Sequence, residues 1–443
     1  MESSQNAEYN LTEGGILKKL LLVAVPIMGT QFMQMAYSLT DLFWLGRVGS
    51  DAVAAAGAAG MYLWLSFGFL LIGRMGAEIG VSQNLGRGDK KTALAFCQNA
   101  MIIAVLLGLL FGLAMVLFSK SLIGFFRFRE TEVAAAGAEY LFITGLPMPL
   151  VFVTAVAVGS FNASGNSRTP FILNSLGLIA NVILDPVFII FMGQGVRGAA
   201  IATAISQFIS CAAILGALFV SKARPFSMFS LRFKPEIHKI SRLFKWALPI
   251  GIESILFCFL SMVCSRLEAS FGADAIAVGK IGGQIESLSW LVGGGFGSAL
   301  IAFIGQNYGA DKWDRINHGT RIAAVFMALY GTCITLLFIF FGGIIFSFFL
   351  SSPSLVALGK EYLFIFAFAQ LFMNLETVAS GAFKGTGRTL PPSLVSIATN
   401  AIKPILAYIL SRTSLGLSGI WIAVTITTVV RGLWICIWYR IKP

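Results

Sequence analysis

Charge is scarce in this sequence. Only 12% of the 443 residues are Asp, Glu, Lys or Arg, against about 25% in a typical soluble domain. A chain that is also 57% hydrophobic has too little polar surface to cover itself in water. That excludes a soluble enzyme, a disordered chain and a secreted disulfide scaffold. Histidine is rarer still: His238 and His318 are the two, and both read as polar boundary residues without metal partners. The six cysteines (Cys97, Cys211, Cys258, Cys264, Cys333, Cys436) fall in or beside apolar runs without metal spacing, as small core residues do. Gly385-Thr386-Gly387 lacks the spacing of a phosphate loop, and no catalytic triad or zinc signature is present. No enzymatic activity, ATP site or cofactor is therefore expected, and any work the protein does would draw on an ion gradient.

What the chain has in place of charge is long apolar runs. Mean hydropathy is +0.83. Short polar segments divide the sequence into twelve spans, at 16–45, 52–82, 92–119, 134–158, 168–192, 197–221, 240–268, 274–304, 315–349, 356–381, 390–411 and 416–438. Each is long enough for a helix to cross a bilayer. The alternation of a membrane β-barrel is missing, so the expected fold is an all-α polytopic membrane protein. The 39 Phe and 47 Gly suit helix contacts in lipid. Glu2, Glu8 and Glu13 precede Lys18 and Lys19 with no small-residue cleavage site after them, so the first span is expected to be a retained anchor. The net charge of +12 is grouped by loop. With the N-terminus inside, 20 Lys and Arg fall on the cytoplasmic side and 9 outside. This bias predicts a multi-pass protein of the cell (inner or plasma) membrane with both termini cytoplasmic. It explains the basic balance without a nucleic-acid partner.

The sequence also repeats. Ala24-Val25-Pro26-Ile27 matches Ala247-Leu248-Pro249-Ile250, and Gln83-Asn84-Leu85-Gly86 matches Gln306-Asn307-Tyr308-Gly309, both at an offset of 223. Gly49-Ser50-Asp51 and Gly272-Ala273-Asp274 share that offset. Glu139-Tyr140-Leu141-Phe142 recurs as Glu361-Tyr362-Leu363-Phe364 at an offset of 222, as do Gly165 and Gly387. The offset spans six helices, an even number, so the halves keep the same orientation as parallel repeats. The expected organisation is an N-terminal six-helix lobe (1–221), a cytoplasmic linker (222–239) and a C-terminal six-helix lobe (240–443). Two pseudo-symmetric bundles with a site between them belong to transporters that work by alternating access. A channel usually draws its symmetry from subunits, and a membrane enzyme would need a nucleophile or metal constellation.

Acids inside the spans need a reason, because an Asp at a helix centre costs about 2.5–3.5 kcal/mol on an insertion scale. Such residues usually face a cavity and serve ion or substrate pathways. Asp41 lies deep in the first span with Tyr37 four residues earlier, on the same helical face. Asn181 and Asp185 repeat that spacing in the fifth span. Pro186 follows and lacks an N–H, so a carbonyl one turn back is freed and the helix is expected to bend. Two carboxyls, an amide, a phenol and a loosened carbonyl are candidates for a proton or Na⁺ site. Neighbouring carboxyls titrate as a coupled pair, and a proton taken up there would release a competing organic cation. By the 223 offset Asp41 corresponds to Cys264, so the acids were not duplicated along with the fold. The C-terminal half carries Glu253, Glu286 and Glu376, candidates for binding a cationic substrate alongside Asp41 and Asp185, or for ion pairs with Lys280 or Lys403. Arg74 and Glu78 share a face of the second span, as a structural pair or a gate.

These segments together carry a family resemblance. The run Tyr37-Ser-Leu-Thr-Asp41-Leu-Phe-Trp-Leu-Gly46-Arg-Val-Gly49, the stretch Gly165 to Pro186, Gly198-Ala-Ala-Ile-Ala-Thr203 and Gly381-Ala-Phe-Lys-Gly385-Thr-Gly387 resemble the multidrug and toxic compound extrusion (MATE) transporters over nearly the whole chain. The Asp41 and Asn181/Asp185 pattern looks like the DinF-like branch. The resemblance implies a V-shaped bilobed fold that exports amphipathic, often cationic, organic compounds by antiport, with protons ahead of Na⁺ as coupling ion. It adds Thr203 to the candidate cation site and places Glu286 at a family position. Glu253 lies one turn earlier after Pro249 than the NorM-like Na⁺ pattern expects, and Glu376 lies too close to Gly381 for it. The expected partners are small organic cations, H⁺ or Na⁺ and the bilayer, with the protein a monomer. The alternatives are a flippase for lipid-linked precursors and an exporter of an endogenous metabolite.

Overall fold

A computed structural model describes residues 9–128, 130–220, 225–226 and 234–441. Much of the expected linker at 222–239 lies outside the described residues. The described chain is helical: α1 Ile16–Val48, α2 Ser50–Gly86, α3 Lys90–Leu117, the short α4 Ser119–Gly124, α5 Thr131–Gly145, α6 Met148–Ala163, α7 Arg168–Pro186, α8 Gly195–Val220, α9 Ile237–Ala269, α10 Ala273–Gly309, α11 Trp313–Ser347, α12 Pro353–Gly385, α13 Leu390–Ser411 and α14 Gly416–Ile441. Among these residues eleven helices are long and apolar enough to cross a membrane, and the pair α5 and α6 makes a twelfth. Lipid takes the place of a core on their outer faces: Leu106, Leu110 and Leu117 along one side of α3 are all exposed.

Two local departures from the sequence expectation trace to proline. The expected span 134–158 is two helices meeting at 49°. Pro147 caps α6 and Pro149 follows in its first turn, where neither ring can continue the hydrogen bonds of α5. After Pro186, α7 rewinds into a π-turn over Val187–Phe191, closed by Met192 N–H donating to the Val187 carbonyl at 2.8 Å. The bend expected there is this widened turn, a feature often found at functional sites.

The two bundles repeat each other down to the backbone. Gly165 and Gly387 end equivalent helices with φ of 86° and 81°, the left-handed region that favours glycine. Where the halves meet, they exchange equivalent contacts. Gln83 Nε2 donates to the Gly385 carbonyl at 3.0 Å, and Gln306 Nε2 donates to the Ala163 carbonyl at 2.8 Å. A Cβ on Gly86 would collide with the Gln306 backbone, and one on Gly309 with the Gln83 backbone. Glycine at both positions lets α2 and α10 cross at backbone contact.

Each half also lends a helix to the other. Leu20, Val23, Ala24 and Ile27 of α1 are buried with Phe296, Leu300 and Phe303 of α10. In return Leu243, Trp246, Ala247 and Ile250 of α9 join the core of the N-terminal half. The N-terminal strand of chain crosses the same seam, with Leu11 N–H donating to Gln306 Oε1 at 3.0 Å and Asn307 Nδ2 donating to the Leu11 carbonyl at 3.2 Å. The bundles are thus joined at the end that carries the N-terminus. Asp41 lies in the outer half of α1, beyond the stretch that packs on α10.

Candidate functional site

Four helices of the N-terminal lobe deliver polar groups to one buried spot. α1 brings Tyr37 and Asp41, α7 brings Asn181 and Asp185, α8 brings Thr203, and α5 brings Tyr140. Asn181 and Asp185 are 0% exposed, Thr203 3% and Asp41 9%. The i,i+4 spacing closes locally on α7, where Asn181 Nδ2 donates to Asp185 Oδ1 at 3.1 Å. Across the helices Asp41 interacts with Asp185, Asn181 and Thr203, and Tyr37 with Thr203 and both carboxyls. All five residues expected to form the cation site therefore meet.

What the pocket leaves open matters as much. Among the described residues, Tyr37 Oη, Asp41 Oδ1, Asn181 Oδ1, Asp185 Oδ2 and Thr203 Oγ1 are buried without a hydrogen-bond partner. An unpaired buried polar atom costs free energy, and two facing carboxylates repel. Among the described residues neither Asp41 nor Asp185 takes part in an ion pair. The chemistry that would satisfy this set of oxygens is a small cation or a proton. Tyr140 completes the wall, acting on Asp41 and reaching Thr203. Single-helix reasoning missed it, although Tyr140 already stood out in the sequence as one of the residues that repeats, as Tyr362.

The acids of the C-terminal lobe do not join this pocket. Glu286 on α10 accepts from Tyr362 Oη at 3.2 Å and from Gln370 Nε2 at 3.3 Å, both on α12. Glu268 on α9 acts on the same carboxyl, an acid the sequence reading did not single out. Glu376 pairs with Arg431 of α14 at 3.0 Å, in place of the expected Lys280 or Lys403. Glu253 accepts from Ser393 Oγ at 2.8 Å. Lys403 is 7% exposed, lies over the Phe257 ring at 4.9 Å and sits beside Cys264.

Two parallel six-helix lobes, joined at one end, with an acidic pocket inside one lobe away from that join, define a two-fold repeated membrane transporter. The sequence model of the MatE family matches residues 26–187 and 249–409, one stretch in each lobe, and the chain belongs to that family. It is a multi-pass membrane transporter and not an enzyme. A relative from Thermotoga maritima, described as a probable multidrug resistance protein NorM, is 26% identical over 94% of this chain and 90% of its own length. A relative from Shewanella oneidensis, described as an FAD transporter, is 23% identical over 96% of this chain and 94% of its own. A crystal structure of MATE in complex with MaD3S superposes with a TM-score of 0.91 at 21% identity, covering 98% of this chain and 97% of that one.

Proposed function

We propose that the protein is an antiporter that exports amphipathic organic cations in exchange for protons, with Asp41 and Asp185 as the coupling pair. The observation that carries this reading is the set of buried, unpartnered oxygens around two facing carboxyls that have no basic partner. One proton shared between the carboxyls relieves their repulsion, and an organic cation competes for the same negative charge. Each ligand then weakens the other's binding by the same factor, which is what exchange requires. Protons stand ahead of Na⁺ because Asp41 and Asp185 reach each other directly; Na⁺ would instead draw on the open oxygens of Tyr37, Asn181 and Thr203. Glu286 is the proposed cation contact in the C-terminal lobe. Glu253 and Glu376 would reach a substrate only by exchanging Ser393 and Arg431. Residues 1–221 and 240–443 are the proposed rocking units, in the plasma or inner membrane with both termini cytoplasmic.

The experiment is efflux of a fluorescent organic cation from proteoliposomes under separately imposed pH and Na⁺ gradients. Efflux driven by the pH gradient alone is expected. Efflux that follows only the Na⁺ gradient would move the coupling ion to Na⁺, and none under either gradient would remove the antiport reading. The Shewanella oneidensis relative gives the second reading, export of an endogenous metabolite. Flavin release into the medium on overexpression, with no cation efflux, would select it.

A further inference from the structure

Glu78 lies outside the coupling pocket and has no part in the mechanism proposed above. It sits on α2, little more than one turn before Gln83, and is 0% exposed. Among the described residues, neither of its carboxyl oxygens has a hydrogen-bond donor. Arg74 approaches from the preceding turn, but its Nε stays 3.9 Å away, too far for a hydrogen bond. Arg74 itself is braced on α6, where Gly159 leaves room for its Cγ. The other charge that acts on Glu78 is Lys384 of α12, which belongs to the opposite lobe. Lys384 is adjacent to Gly385, whose carbonyl holds Gln83 across the seam. Along this stretch of α2, Val156 of α6 lies against Gly73, Leu243 of α9 against Gly76, Phe96 of α3 against Gly80 and Gly305 of α10 against Ser82. The 223 offset sets Arg74 and Glu78 against Gly297 and Ile301, so the fold itself does not require the charges.

We propose that Glu78 is a proton-binding carboxyl at the seam between the lobes, holding the N-terminus-bearing end shut when ionised and releasing it when protonated. The ionised carboxylate lies between a cation of its own lobe and a cation of the other, so it attracts both lobes to the seam. A proton added to one carboxyl oxygen removes that attraction and leaves the like charges of Arg74 and Lys384 without the anion that both act on. Two flanking cations also make the spot hostile to a metal ion, so the ligand is H⁺. This site acts on lobe geometry, and it does not depend on what the transporter carries or on which ion the Asp41 pocket takes.

The test uses the full chain in nanodiscs with its six native cysteines replaced and spin labels at Lys91→Cys and Arg321→Cys, one on each lobe. The distance distribution is read by double electron–electron resonance between about pH 5 and about pH 9, a range that spans both forms of a perturbed carboxyl. The short, closed distance is expected to dominate at high pH and to give way to a longer one at low pH. Glu78→Gln should show the low-pH distribution throughout, and Lys384→Gln should shrink the shift. Asp41→Asn should keep it. A parent protein that does not respond to pH overturns the proposal, as does a Glu78→Gln response equal to the parent's. Loss of the response in Asp41→Asn would assign it to the coupling pocket and also overturn it. If Glu78→Gln cannot be purified, an unchanged shift in the half-exposed Lys384→Gln rejects the idea on its own.

Discussion

The two lobes share a backbone, but the polar and charged groups they bury in equivalent regions differ. In the N-terminal lobe Asp41, Asn181 and Asp185 meet. In the C-terminal lobe the positions equivalent to Asp41 and Asn181 hold Cys264 and Lys403, which also lie beside each other. The tyrosines stay the same, Tyr140 in one lobe and Tyr362 in the other. The acids of the C-terminal lobe are answered by nearby donors: Glu376 by Arg431, Glu286 by Tyr362 and Gln370, Glu253 by Ser393. Duplication kept the scaffold and changed the electrostatics. The difference lies in the carboxyls: Glu376, Glu286 and Glu253 have a donor in reach, while Asp41 Oδ1 and Asp185 Oδ2 have none among the described residues.

The largest effect should come from giving one lobe the residue of the other. Asn181→Lys puts an ammonium beside Asp41 and Asp185 and should cut proton–cation exchange, as should Asp41→Asn. A loss of about 5–150-fold, the span of an ordinary coupling free energy, is expected in proteoliposome flux. Exchange at the parent rate in Asp41→Asn would remove the N-terminal pocket from the mechanism. Lys403→Asn, the reverse exchange in the other lobe, should change flux far less.

Next in size is the ion pair of the C-terminal lobe between Glu376 and Arg431. Arg431→Ala strands Glu376, both side chains being less than one-fifth exposed, and should cost about 3–5 kcal/mol of stability. Thr154, at the N-terminal position equivalent to Glu376, bonds its own helix at the Leu150 carbonyl, and Thr154→Ala should cost only about 0.5–1.5 kcal/mol. Thermal unfolding in detergent compares the two. Equal shifts would mean that the pair contributes nothing special.

Symmetry itself can be tested at the crossing of α2 and α10. Gly86→Ala and Gly309→Ala each push a methyl into the partner helix and should open the joined end to similar extents, seen as greater labelling of cysteines placed along the seam. If one substitution is silent, the two contacts are not equivalent.

The smallest effect is expected at a surface cap. Asp89 accepts from Thr92 N–H at 2.9 Å at the start of α3, while the equivalent Lys312 gives α11 no side-chain cap. The bonds from Thr92 hold the Asp89 carboxyl below its usual range. Its folded value is thus lower than its unfolded one, so the cap's contribution is present at neutral pH and fades as pH falls through the lowered value. Asp89→Ala should lower the melting temperature slightly at neutral pH and not at all in acid.

Much of the site was legible because its pieces are local. An i,i+4 pair on one helix, such as Tyr37 with Asp41 or Asn181 with Asp185, follows from helical periodicity alone. The contacts that were not legible all run between helices. Tyr140 reaches the pocket from α5, Glu268 reaches Glu286 from α9, and Arg431 reaches Glu376 from α14; no spacing in sequence encodes the rotation of one helix against another.

The sequence by itself determined that the chain lives in a bilayer, how many times it crosses and that its two halves are copies. Apolar run length and a constant offset are properties of the chain in one dimension, and lipid enforces them without help from folding. Tertiary structure alone decided which buried acids are left open and which are answered, and that Glu78 comes under the charge of a lysine of the other lobe. A buried charge takes its meaning from its neighbours in space, and those are set by how the helices pack.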